Sequence, residues 1–311
     1  MSNLVILVPC YNEEVVLLET ARQLGNVLER LKYLNLVNSE SSIYFVDDGS
    51  NDETWQLIEL VARKSQYFHG IKLSRHRGHQ NALLAGLLTV PGEAVISIDA
   101  DLQDDLGAIE AMIRQYNAGA DVVYGVRSAR KIDSQFKQWT ATIYYQLLAL
   151  LGVELVPHHA DFRLLSRRAV DALKQYPEVN LYIRGIVPQL GYTTALVYYE
   201  RKARFAGVSK YSVGKMLRLA FDGITSFSTV PLRIITFAGA AISSLSFIVT
   251  AWAVAIRLFT TYAVPGWTST VVPMYFLGGI QLFSLGVIGE YIGKIYNEVK
   301  RRPRFLIDKT I

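Results

Sequence analysis

The sequence predicts an α/β domain on a mostly parallel, doubly wound sheet, followed by a helical region directed to a membrane. Short runs of β-branched residues alternate with amphipathic stretches over the first 125 residues, and each run ends in polar or acidic residues. Two long segments near the C-terminus carry almost no charge. Of the 311 residues, 51% are hydrophobic and 19% charged, which is too apolar for an ordinary soluble enzyme. The net charge of +5 comes with no basic run in the first half, so nucleic acid is not an expected partner. A single cysteine, Cys10, excludes an internal disulfide; at a strand end it reads as a small buried residue.

Residues 4–8 form the first strand, ended by Pro9; that apolar run is too short for a signal peptide. A helix is predicted over residues 13–34, with Val16, Leu17, Leu24, Val27, Leu28 and Leu31 on one face. The second strand, residues 43–46, runs into Asp47, Asp48 and a Gly49 turn, where Asn51 or Asp52 can cap the next helix. A third strand over residues 70–74 leads into the basic loop Arg75-His76-Arg77-Gly78-His79 and a helix as far as Leu88. The central strand contains Val95, Ile96 and Ile98 and stops in Asp99, Asp101, Asp104 and Asp105. A helix over residues 106–117 and a strand over residues 121–125 complete the alternation.

Ligands of open α/β sheets sit outside the carboxyl ends of the strands, so the chemistry is expected there. Asp99 and Asp101 leave a strand end on the same side and can share a hard cation, Mg²⁺ or Mn²⁺, that also binds two phosphates of a nucleotide. Read alone, such a pair serves equally well as helix N-terminal acids. Glu13 can accept from ribose hydroxyls, Tyr11 can stack on a base and Asp48 can accept from a base N–H. Arg127 and Arg130 form a basic strand end suited to bidentate phosphate contacts. The paired His158 and His159 lack a third ligand at suitable spacing, so zinc is discarded.

Pro-Cys-Tyr-Asn-Glu-Glu (residues 9–14), Val-Asp-Asp-Gly-Ser-Asn-Asp-Glu-Thr (46–54) and Asp-Ala-Asp-Leu-Gln-Asp (99–104) resemble the signature blocks of family 2 glycosyltransferases of the GT-A fold. The resemblance implies that Pro9, Tyr11, Asn12, Glu13, Asp48 and Gln103 hold the donor nucleotide, and that Asp99 and Asp101 hold the metal and diphosphate. Asp161-Phe162-Arg163-Leu164, with Ala160 in place of the usual glycine, is similar to a block of the polyprenyl-phosphate sugar transferases. So is Arg204-Phe205-Ala206-Gly207-Val208-Ser209-Lys210-Tyr211. The implied catalytic set is Asp99, Asp101 and Asp161; Asp161 either positions a sugar hydroxyl or orients an arginine. Arg127, Arg130, Lys137, Arg204, Ser209 and Lys210 are the expected phosphate and acceptor residues. The resemblance implies glucose from UDP-glucose as the transferred sugar; the family inverts the anomeric centre, which implies one in-line displacement, so that UDP-α-glucose would give a β-linked polyprenyl-phosphate glucose and UDP. GDP-mannose or an aminoarabinose donor uses the same scaffold. A processive synthase would need a Gln-x-x-Arg-Trp motif, which this sequence lacks, and a non-catalytic scaffold would have lost the acids.

The amphipathic stretches at residues 136–151 and 213–227 are expected to lie at a membrane surface. Residues 234–256 are uncharged for 23 residues, a helix of about 34 Å against a hydrocarbon core of about 30 Å. Residues 271–292 carry only Gln281 and Glu290 as strongly polar side chains. The linker over residues 259–270 has no lysine or arginine, Arg257 being the one exception on that side, whereas Arg218, Arg233, Lys294, Lys300, Arg301, Arg302 and Arg304 flank the other side. The positive-inside rule then puts both termini and the catalytic domain in the cytoplasm of a multi-pass inner-membrane protein. The expected division is a catalytic domain over residues 1–210, a juxtamembrane helix over 211–229, a transmembrane hairpin over 230–295 and a basic tail over 296–311. Gly286, Gly289 and Gly293 allow close helix packing, within the chain or in a homo-oligomer.

Overall fold

In the computed structural model the described residues are 1–128, 159–178, 183–200, 230–259 and 266–311. The catalytic part begins with β1 (Leu4–Cys10), α1 (Leu17–Tyr33), β2 (Ser42–Asp47), α2 (Thr54–Lys64) and β3 (Phe68–Leu73). Next come α3 (His79–Thr89), β4 (Ala94–Ser97), α4 (Ala108–Asn117), β5 (Val122–Arg127) and β6 (His159–Ser166). α5 (Arg167–Leu173), α6 (Ile183–Gln189) and β7 (Thr194–Tyr199) follow, and β8 (Ile307–Thr310) closes the sheet from the far end of the chain. The strand order is β7-β5-β6-β4-β1-β2-β3-β8.

β1, the strand on which the sheet is built, is buried along its whole length between parallel neighbours β2 and β4. A strand covered on both faces has no reason to alternate, hence the unbroken Leu-Val-Ile-Leu-Val. β1, β2 and β3 step outward in one direction, and β4 returns to the other side of β1. The crevice at that reversal lies outside the carboxyl ends of β1 and β4, where Pro9–Glu13 and Asp99–Asp101 begin. α1 starts at Leu17 rather than at residue 13, because Glu13 first forms a turn whose carbonyl accepts from Val16 and Leu17. Leu17, Leu24, Leu28 and Leu31 form its buried stripe.

The sheet is mostly parallel, as the alternation of the first five strands predicts, with β6 and β8 as its antiparallel members. β6 runs antiparallel between β4 and β5, pairing Ile96 with Leu164 and Ser97 with Arg163. No strand is legible there from periodicity, since Asp161 and Arg163 interrupt the apolar run. β8 also runs antiparallel, at the edge of β3. Gly70 and Ile311 exchange two backbone hydrogen bonds of 3.0 and 2.9 Å there, so the end of the basic tail belongs to the catalytic sheet.

A separate unit contains α7 (Val230–Phe259) and α8 (Trp267–Lys300), which enclose the two segments expected to span a membrane. Among the described residues, Phe276–Lys300 is long and apolar enough to cross a membrane, with a mean hydropathy of 1.3. Large apolar side chains along both helices, including Phe237, Trp252 and Phe283, are exposed. The amphipathic stretches at residues 136–151 and 213–227 lie outside the described residues.

Gly86 sets how closely α3 approaches β1: a Cβ there would lie 2.5 Å from Leu7 Cδ1. Gly86→Ala is expected to destabilise the domain by about 1–3 kcal/mol through overpacking, read as a lower thermal midpoint. A midpoint equal to wild type would show that the α3–β1 contact yields without cost.

Candidate active site

The cleft at the carboxyl ends of β1 and β4 measures about 240 Å³ and is lined by residues from β1 and the turn after it, Asp48 just past β2, the loop before α3, α3, the turn after β4, β6 and α6. One end is built by the turn after β1 and the loop before α3. Pro9, Tyr11, Glu13, Asp48 and His76 line it. Asp48 is fully buried, and its oxygens accept from the amides of Arg77 (2.7 Å) and Gly78 (2.8 Å). His76 Nδ1 sits 2.8 Å from the same carboxylate, and the His76 ring stacks on Tyr11 with centroids 3.9 Å apart. Burial pushes the Asp48 carboxyl up, against the opposing pull of these donors. Gly49 makes the arrangement possible: it takes a φ of 67°, and a Cβ would lie 2.6 Å from the backbone of Arg75 and His76.

The other end collects charge. Asp99, Asp101, Asp161, His79 and Arg184 line it. The antiparallel register of β4 and β6, continued past Ser97 and Arg163, sets Asp161 across from Asp99. Asp161 is buried; Arg184 holds it side-on, Nε at 3.0 Å and Nη2 at 2.7 Å, and Arg163 Nη2 donates at 2.6 Å. His79 Nε2 bridges the acids, 3.3 Å from Asp161 and 3.6 Å from Asp99. Burial alone would raise the Asp161 carboxyl, yet the bonds from His79 and Arg184 and the charge of Arg163 hold it well below the usual carboxylate range. Burial works against a charged His79, but the two carboxylates outweigh it and raise the imidazole.

Desolvation pushes the Asp99 carboxyl up; His79 opposes this, and the charges of Asp161, Asp104 and Asp101 add to it. Crowded carboxylates in a cleft suit a bound cation. Two oxygen donors, Asp99 and Asp101, match the way Mg²⁺ or Mn²⁺ is held with a substrate's phosphates filling the remaining positions. Among the described residues no group of three acidic, histidine or cysteine side chains forms a complete protein cage.

Other residues singled out from sequence lie nearby without lining the cleft. Asn12 laces two loops together, its amide bonded to Ser50 Oγ (2.9 Å) and its Oδ1 accepting from Asn51 (3.0 Å). Gln103 is buried, and its amide donates to Asp101 Oδ1 at 3.2 Å, shaping the turn that carries the acid. Arg127 bonds to Asp104 (3.3 Å) and to the Tyr199 hydroxyl (3.2 Å), which itself donates to Asp104 at 2.6 Å. Arg130, Lys137, Arg204, Ser209 and Lys210 lie outside the described residues. Cys10 borders the cleft, but its buried thiol donates to the Val8 carbonyl, and burial pushes its pKa well up, so it is no nucleophile. Sequence reading missed His76, His79 and Arg184 as site residues. The histidines stood in a visible basic loop, whereas nothing local marks Arg184.

Asp161→Asn removes the counter-charge of a buried cation, since Arg163 is 1% exposed and its Nε and Nη1 have no hydrogen-bond partner among the described residues. A loss of about 3–5 kcal/mol in unfolding free energy is expected. The folded-state pKa of Asp161 is depressed, so its contribution is fully present above the ordinary carboxylate pKa of about 4 and fades as pH falls below it. Denaturant titrations of both proteins at pH 7 and pH 3 should therefore show the gap between them narrowing with acid. A gap that stays constant would refute this account.

Residues 5–174 match the family described as Glycosyl transferase family 2. An uncharacterised glycosyltransferase of Bacillus subtilis, YkoT, is 48% identical over 307 residues, covering 98% of this chain and 91% of the relative. The bactoprenol glucosyl transferase of Shigella phage SfII is 40% identical over 309 residues, covering 98% and 97%. A prophage bactoprenol glucosyl transferase homolog of Escherichia coli K12 is 39% identical over 309 residues, covering 98% of each chain. Strand-end acids in a GT-A sheet and near-full-length relatives agree: the chain is a glycosyltransferase of family 2.

Proposed function

We propose that the protein transfers glucose from UDP-glucose to a polyprenyl phosphate, such as undecaprenyl phosphate, with inversion, at the cytoplasmic leaflet. The observation that carries the reading is the single cleft joining a ring-and-carboxylate end, Tyr11, Glu13 and Asp48, to the acid pair Asp99 and Asp101. The near-full-length likeness to proteins named bactoprenol glucosyl transferase supports the acceptor class. Tyr11 stacks on the uracil, Asp48 receives its N–H and Glu13 takes the ribose hydroxyls. Asp99 and Asp101 would hold Mg²⁺ or Mn²⁺, which neutralises the charge developing on the departing diphosphate.

A phosphate monoester has its second pKa near ~6, so the acceptor is already a nucleophile at neutral pH and needs no strong general base. One acceptor oxygen attacks the anomeric carbon from the face opposite the diphosphate. The new carbon–oxygen bond forms as the bond to the β-phosphate breaks, and UDP leaves with that electron pair. Arg127, Arg130, Lys137, Arg204, Ser209 and Lys210 form the acceptor set in this reading, bringing one anion towards another. The segments within α7 and α8 form a transmembrane hairpin that holds the lipid tail in the bilayer while its phosphate meets the donor.

With radiolabelled UDP-glucose, polyprenyl phosphate and Mn²⁺, Asp99→Ala and Asp101→Ala should each lose at least about 10²-fold in transfer while remaining folded and membrane-bound. Near-wild-type transfer by either variant, with the cation still required, would remove the acid pair from the chemistry. Topology is tested separately in a Cys10→Ser background. Thr268→Cys should label with an impermeant thiol reagent from outside, and Lys309→Cys only after permeabilisation. The opposite pattern would place the cleft on the side without sugar nucleotide.

A further inference from the structure

We propose that the tail strand β8 is a strap that seats the loop at the nucleotide end of the cleft, with Leu306 as the positioning residue; the nucleotide part of the proposal rests on the reading above. β8 pairs Thr310 with Ile71, Lys309 with Lys72 and Ile307 with Leu73. The pairing continues past the strand: the Ser74 amide donates to the Leu306 carbonyl at 2.9 Å. At Ser74, β3 gives way to the basic loop 75–79. That loop carries His76 against Tyr11 in the cleft, and its Arg77 and Gly78 amides bond to Asp48. Asp48 thus holds the exit of the loop, and a carbonyl from the far end of the chain holds its entry. His76 hangs between the two anchors. The tail itself has a second hold, where the Arg304 guanidinium donates to the Tyr176 carbonyl just past α5.

The strap is only marginally held. β8 is four residues long, and all four are exposed. Its register shifts between Lys72 and Leu73, and Lys309 stands directly across from Lys72, a like-charge pair that weakens strand pairing. Leu306, Ile307 and Ile311, its apolar anchors, remain exposed as well. An edge segment with so few buried contacts opens at a small part of the global unfolding free energy. When β8 leaves, Ser74 loses its acceptor, and the loop is held at Asp48 alone. A nucleotide that needs Tyr11, His76 and Asp48 in place then meets a site that is complete only while the tail is seated. Its apparent affinity falls in proportion to that fraction.

The test compares the full chain in detergent with a variant ending at Arg302, with and without a peptide of residues 303–311. Amide hydrogen exchange is followed by mass spectrometry without nucleotide, and UDP affinity by calorimetry with Mn²⁺. Residues 76–79 are the decisive segment, because the Arg77 and Gly78 amides bond to Asp48 and not to the tail. Loss of the tail should speed exchange there by at least about tenfold while α4 exchanges as in the full chain. The UDP Kd should rise about tenfold, as for a loop seated about a tenth of the time. Excess peptide, adding back a strand at the β3 edge, should reverse both changes. Unchanged exchange over residues 76–79 overturns the strap, and faster exchange with an unchanged UDP Kd overturns its part in nucleotide binding. If the shortened chain exchanges fast everywhere, α4 included, Arg304→Gln in the full chain decides instead. Faster exchange confined to β3, β8 and residues 74–79 in that variant supports the strap, and full-chain behaviour overturns it. Should the unaltered protein bind no UDP, the donor reading falls, and the exchange measurement alone decides whether the tail seats the loop.

Discussion

The buried carboxylate of Asp161 ties together parts of the chain that lie far apart in sequence. β6 carries it, α6 reaches it through Arg184, and the first turn of α3 reaches it through His79. A buried charge is tolerated only when it is paired and hydrogen-bonded, and here each oxygen accepts from guanidinium groups. Satisfying that single group therefore fixes where a strand, a helix start and a short helix stand relative to Asp99. The site's geometry follows from an electrostatic demand made inside the sheet.

The opposite end of the cleft repeats the device with backbone donors. Asp48 follows the last residue of β2 and takes the amides of Arg77 and Gly78, pulling the loop before α3 over the strand ends. His76 is carried with it and covers Tyr11. α3 is thus oriented twice, by Asp48 at its entry and by Asp161 at its first residue. Asp104 does a similar job at the rim, where Tyr199 and Arg127 join β7 and β5 to the turn after β4. Acids that look alike in the sequence divide into two kinds. Asp48, Asp104 and Asp161 hold the frame by accepting from it, Asp48 and Asp161 while also lining the cleft, whereas Asp99 and Asp101 line it from the turn after β4, with His79 3.6 Å from Asp99.

How much of this was legible beforehand depended on how local each signal was. The β1 to β5 alternation could be read to within a few residues, because burial of a parallel strand and amphipathy of a helix are properties of contiguous residues. Asp48, Asp99 and Asp101 were legible for the same reason, each falling where a β-branched run stops. Arg184 was not: an arginine inside Leu-Tyr-Ile-Arg-Gly-Ile carries no mark until the register of β4 and β6 brings Asp161 under it.

By itself the sequence determined the class of sheet, the strand-end acids, the family blocks and the two apolar stretches near the C-terminus. These rest on periodicity, composition and short spacings, which a folded chain cannot rearrange. Only the tertiary structure decided that β6 enters antiparallel, that the tail's Ile307–Thr310 becomes the edge strand beside β3, and that His79 and Arg184 converge on one carboxylate. Pairings between residues separated by more than twenty positions depend on loop closure and on which buried charge finds a partner. No stretch of neighbouring residues contains that information.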